Sequence, residues 1–99
     1  MNITKHTVEW LKDPFGLLSG ERYEFRLYAE VDEEDELYSE SGFYIRVLYM
    51  VDDEQKKIIH YHLYDRATDE VLDFELEDDE VEMISSYCHD HYHEVVQES

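Results

Sequence analysis

Residues 22–31 read RYEFRLYAEV. Tyr23, Phe25, Leu27, Ala29 and Val31 share one side of an extended chain, and Glu24, Arg26, Tyr28 and Glu30 share the other, because successive side chains of a strand point to opposite faces. One half-buried strand of this kind needs neighbours. Phe43–Val51 (FYIRVLYMV) is apolar on both faces, so it belongs in the middle of a sheet. Residues 3–11 (ITKHTVEWL) read as a preceding strand, Lys57–Asp65 as a fourth and Val71–Leu76 as a short fifth with Leu72, Phe74 and Leu76 on one side. The connections are marked in the same language. Asp13-Pro14-Phe15-Gly16 breaks the first strand, since proline lacks a backbone donor and glycine admits positive φ. The acidic run 32–42 has room for one helical turn around Leu37–Tyr38, and Asp52–Gln55 and Arg66–Glu70 close the later turns.

From Asp78 or Asp79 the period changes. Val81, Ile84, Cys88, His91, Tyr92 and Val95 recur at helical spacing, and acidic residues fill the first turn, where the helix dipole favours them. The expected fold class is α+β: an antiparallel meander of four or five strands with one C-terminal amphipathic helix packed across one face, all in a single domain spanning 1–99.

The 99 residues carry 27 Asp and Glu against 8 Lys and Arg, for a formal charge of -19. Acidity on that scale suggests disorder only where apolar residues are scarce, and here they make up 42%. The chain is therefore expected to fold as a strongly anionic body. Direct binding to nucleic acid or to an anionic membrane surface is disfavoured, because both depend on Lys and Arg. Salt is expected to stabilise the fold by screening like charge. Lys5, Glu9, Lys12 and Asp13 interrupt any apolar run at the start, no stretch reaches the length of a membrane span, and the single cysteine, Cys88, admits no intramolecular disulfide. The expected location is the cytoplasm.

The stretches DPFGLLSGERYEF (13–25), VDEEDELYSESG (31–42) and LDFELEDDE (72–80), followed by the helix, resemble a family of short acidic proteins of unknown function from Gram-positive bacteria. The resemblance covers nearly the whole chain and implies no activity or site residues. Some relatives are labelled pullulanase, a starch-debranching hydrolase. Such enzymes set paired carboxylates at the mouth of a (β/α)8 barrel of roughly 250 residues, which this chain cannot build.

Four groups of residues could carry function. His89 and His93 stand at i, i+4 and could chelate a metal through two imidazoles, although two ligands fall short of the usual three or four. The alternative is a solvated or hydrogen-bonded pair. His60 and His62 alternate onto one side of the fourth strand, while Ile59, Tyr61 and Leu63 are expected to face the helix, so the two histidine pairs cannot converge. Cys88 lies on the apolar side of the helix and reads as core packing before nucleophile. If the helix covers Phe25, Leu27, Ile45, Val47, Tyr61, Leu63 and Phe74, then the open face displays Arg26, Tyr28, Tyr44, Arg46, Leu48, Met50, His60, His62 and Tyr64.

Aromatic residues, Met and Arg are enriched in interface cores. Arg26 and Arg46 could instead pair with cross-strand Glu24, Glu30, Asp73 or Glu75 while the tyrosines merely cover the sheet. Phe15, Leu17 and Leu18 either offer a second contact or close one end of the core. With no phosphate-cradling loop and no specific carboxylate pair, the expectation is a non-enzyme without a cofactor: an interaction or regulatory module using its open sheet face or a sheet edge, with an unidentified protein or a second copy of itself as partner. The alternative is an acidic decoy whose clusters at 30–36, 52–54 and 77–82 occupy a cationic protein.

Overall fold

A computed structural model describes residues 1–11 and 20–95. The Asp13–Gly16 break and the roles expected of Phe15, Leu17 and Leu18 lie outside the described residues. Five strands follow one another in space as in sequence: β1 (Asn2–Leu11), β2 (Glu21–Glu30), β3 (Phe43–Val51), β4 (Lys56–Asp65) and β5 (Val71–Leu72), each antiparallel to the next. Helix α1 (Asp78–His91) and a 3-10 turn (Tyr92–Glu94) complete the α+β fold. Residues 32–42 hold successive i→i+3 turns, in which Asp32 O accepts from the Asp35 amide and Asp35 O from the Tyr38 amide, and no helix.

The alternation of β2 is realised in full. Tyr23, Phe25, Leu27 and Ala29 are buried, and they sit directly opposite Tyr49, Val47, Ile45 and Phe43 of β3. Leu63 of β4 and Leu76, Ile84 and Cys88 of the C-terminal segment complete the cluster. The helix reaches it with one stripe: Ile84 and Cys88 are fully buried, and Val81, Met83 and Tyr87 pack partly against it. Its start is fixed by Glu80, whose side chain accepts the Glu77 backbone N–H at 3.1 Å, and by Asp78 and Asp79 in the first turn. Gly20 enters β2 at φ +73°, and a Cβ there would lie 2.6 Å from the Val51 carbonyl oxygen, so no larger residue fits without displacing backbone.

Three expectations need correction. Ile59 does not face the helix. The register slips between Leu48↔His60 and Tyr49↔Ile58, leaving Ile59 as the extra residue of a bulge; Ile58 takes the inward place beside Tyr49, and Ile59 is 40% exposed. The fifth strand ends at Leu72 rather than Leu76, because the Phe74 amide donates back to Leu72 O and turns the chain away. Phe74 is consequently 42% exposed, and Leu76 takes the core position instead. The α-helix stops at His91, and Tyr92 and Val95 meet the core from the 3-10 turn and the residue beyond it.

Candidate functional site

Three places in the fold gather chemistry. The first is the sheet face opposite the helix. Tyr28, Tyr44 and Tyr64 stand directly opposite one another on β2, β3 and β4, with ring centroids 5.5 and 5.3 Å apart and the second pair stacked. Lys5 Nζ and Arg66 Cζ lie 5.1 and 5.0 Å from the Tyr28 centroid, and the Tyr44 hydroxyl donates to Asp69 Oδ1 at 2.9 Å. One row along, Arg26 and Arg46 are directly opposed. Glu24 neutralises the clash: its carboxylate accepts from Arg46 Nη2 at 2.9 Å and lies 3.8 Å from Arg26 Nε. Glu24 foremost, and Tyr64 after it, hold the Arg46 guanidinium above its ordinary pKa.

His60 and His62 share this side of the sheet, 5.6 Å apart and exposed, as their alternation implies. The structure thus brings Arg26, Tyr28, Tyr44, Arg46, His60, His62 and Tyr64 onto one face, but Tyr44 and Met50, expected to be displayed there, are buried, Tyr44 between the flanking Tyr28 and Tyr64 rings. Charge is segregated to match. Among the described residues, Lys5, Arg22, Arg26, Arg46, Lys57 and Arg66 belong to this face, and only Lys56, whose Nζ lies over the Tyr92 ring, belongs to the other.

The second place is the edge of β4. Because β5 pairs only with Leu63 and Tyr64, no strand among the described residues pairs with the outer edge of β4 from Lys56 to His62. An open groove of about 520 Å³ runs beside it, with Val81 and the segment Val71–Glu75 forming the opposite wall. Ile59, Val71 and Phe74 line it while 40%, 60% and 42% exposed, and Asp73 and Glu75 add carboxylates. This concentration of apolar surface follows from the bulge and the short β5, which the alternating sequence pattern did not reveal.

The third place joins the two ends of the described chain. His6 sits opposite Leu27, so its ring points to the helix side of the edge strand β1. There it meets Tyr87 and His91, one turn apart on α1, and Glu94 from the 3-10 turn. His6 Nε2 lies 2.8 Å from Glu94 Oε1, His91 Nδ1 is bonded to Glu94 Oε2, and the Tyr87 hydroxyl is 2.6 Å from His6 Nδ1. Bonds from His91 and His6 hold the Glu94 carboxyl below its ordinary pKa. With both imidazoles neutral, Nε2 of His6 and Nδ1 of His91 donate to the carboxylate and Tyr87 donates to His6 Nδ1.

The histidines singled out by helical spacing lie apart from this group. His89 is exposed, with its Nδ1 3.6 Å from Asp90 Oδ1, and His93 falls in the 3-10 turn, beyond the α-helical row that His89 belongs to. Sequence spacing missed His6, Tyr87 and Glu94, since only the register of β1 and the phase of α1 together bring them into contact. Cys88 is fully buried, and burial pushes its thiol up to about 12.

No helix among the described residues is long and apolar enough to cross a membrane. No curated protein and no solved structure matches the chain. A family model described as a family of unknown function, DUF6509, matches residues 1–95, and the chain belongs to that family.

Proposed function

We propose that this family member is a non-enzymatic interaction module that accepts an extended segment of a partner protein as an added strand along the open edge of β4. The observation that carries the reading is the coincidence of an unpaired strand edge with exposed Ile59, Val71 and Phe74 in one groove. Unpaired edges template strand addition, and soluble proteins ordinarily blunt them with charge or cover them. Here the groove beside the edge sets exposed Ile59, Val71 and Phe74 among its charged and polar groups. Backbone hydrogen bonds would supply affinity, and alternate side chains of the incoming segment would supply specificity.

The chemistry of the groove describes its partner. Apolar side chains of the segment meet Ile59 and Phe74, and lysine or arginine meets Asp73 and Glu75, in keeping with the net charge of -19. The tyrosine and arginine face is a poorer candidate because Arg26 and Arg46, the arginines at its centre, already share the Glu24 carboxylate. The encounter belongs in the cytoplasm, where a lone thiol such as Cys88 stays reduced.

The test compares affinity capture by the wild type, an edge variant (Ile59→Lys with Phe74→Ala) and a face variant (Arg26→Ala with Arg46→Ala), each at 0.1 and 0.5 M NaCl. A protein held by the wild type and the face variant at both salts, and lost by the edge variant, is the expected result. Loss confined to the face variant transfers the contact to the open sheet face. A set of basic proteins released from all three at 0.5 M salt overturns the reading in favour of an acidic decoy.

A further inference from the structure

We propose that His6, His91 and Glu94 form a divalent transition-metal site suited to zinc, with the fourth coordination position left to water. The three side chains come from β1, α1 and the 3-10 turn, and one ligand atom from each lies within 4.8 Å of the others. Tetrahedral zinc with bonds of about 2.0–2.1 Å holds its ligand atoms roughly 3.3 Å apart, so closing the site takes side-chain rotation and no change of fold. Two imidazoles and one carboxylate are also a donor set that zinc accepts when it keeps an open position.

The surroundings fit ligation. Both imidazole nitrogens already point at one carboxylate, which occupies the volume a cation would share. Metal binding moves each ring proton to the opposite nitrogen: His6 Nε2 becomes a ligand and His6 Nδ1–H donates to the Tyr87 hydroxyl, while His91 Nδ1 becomes a ligand and its Nε2 carries the proton. Tyr87 then plays the part of the outer hydrogen-bond partner that fixes tautomer and ring orientation in histidine metal sites. The His6 side chain is 17% exposed, His91 30% and Glu94 42%, so the group is sheltered on the strand side and open to entry on the side of the turn. A bound ion would tie the first strand to the last described turn.

Purified protein freed of metal by chelation is titrated with zinc chloride in a calorimeter, with calcium chloride as a parallel titrant. The proposal expects saturation at one zinc per chain at tens of micromolar protein, no matching heat from calcium, and a melting temperature that rises with zinc. His6→Ala and His91→Ala should abolish the heat, Tyr87→Phe should weaken binding by about 10-fold or more, and His89→Ala and His93→Ala should leave it unchanged. The wild type loaded with Co²⁺ provides a readout that needs no substitution, since four-coordinate Co²⁺ absorbs visible light far more strongly than six-coordinate. Absence of zinc heat, equal heat from calcium, the weak spectrum of six-coordinate cobalt, or zinc binding retained by folded His6→Ala and His91→Ala would each overturn the assignment.

Discussion

The Tyr61 hydroxyl accepts the backbone N–H of Leu76 at 3.0 Å, and this bond marks where the sheet gives way to the helical segment. Beyond Leu72 the chain no longer pairs with β4, so the Leu76 amide must find a partner elsewhere if it is to be removed from water. Tyr61 supplies it from the inner side of β4. The same bond places Leu76 at 7% exposure, beside the start of α1. It also sets the far wall of the groove along the β4 edge, since residues 73–75 span the interval between the last strand and this anchor.

Tyr61→Phe keeps the ring and removes the acceptor, leaving a partly buried donor unsatisfied. The expected cost is about 1 kcal/mol, the scale of one net intramolecular hydrogen bond. Urea unfolding should show a lowered midpoint with unchanged slope, and hydrogen exchange of the Leu76 amide should accelerate. An unchanged midpoint together with unchanged Leu76 exchange would mean that the segment is held by apolar contacts alone.

The fold was legible wherever burial followed a simple period. The alternation of Tyr23, Phe25, Leu27 and Ala29, the double-sided apolarity of Phe43–Val51 and the spacing of Val81, Ile84 and Cys88 placed β2, β3 and α1 and told the covered face from the open one. Periodicity has no term for an inserted residue. The bulge at Ile59 therefore exchanged the roles of Ile58 and Ile59, and the turn after Leu72 exchanged those of Phe74 and Leu76. These two local breaks make the open edge of β4, so the surface favoured for binding was the part of the sheet least visible beforehand. The His6, His91 and Glu94 group was hidden for a different reason, because its members meet only through tertiary packing of the two ends of the described chain.

Alkaline pH should weaken the core through two buried acids. Burial pushes Tyr49 from 10.0 to about 12 and Cys88 from 9.0 to about 12. Each is neutral while protonated, so between pH 9 and 12 the native state keeps protons that the unfolded chain releases. Their contribution is fully present below pH 9 and lost as pH climbs toward 12. Urea midpoints measured from pH 8 to 11 should fall with pH, and Cys88→Ala should flatten that fall above pH 9. At pH 7.5 the Cys88 thiol should resist a disulfide-exchange reagent in the folded protein and react once urea unfolds it. Rapid labelling of the native thiol would show that the helix opens far more readily than its packing implies.

Added salt should stabilise the fold, and the distribution of charge says why. With Lys5, Arg22, Arg26, Arg46, Lys57 and Arg66 drawn to the sheet face opposite the helix, the acidic residues 77–80 at the start of α1 lie away from most of the cations. Their mutual repulsion is left to solvent ions. The Debye length shrinks from about 10 Å at 0.1 M to about 4 Å at 0.5 M, short enough to screen neighbours on the same surface. The opposing loss falls on the Glu24 contacts with Arg26 and Arg46, where each arginine is 49% exposed and the pairs are correspondingly weak contributors. A net relief of about 1 kcal/mol would raise the melting temperature by roughly 4–8 °C in a domain of this size. Melting followed by circular dichroism at 0.02, 0.1 and 0.5 M NaCl, with the metal chelated throughout, checks this. A midpoint that falls with salt would mean that the Glu24 pairs outweigh the repulsion elsewhere, and would give the tyrosine and arginine face a structural role larger than its exposure suggests.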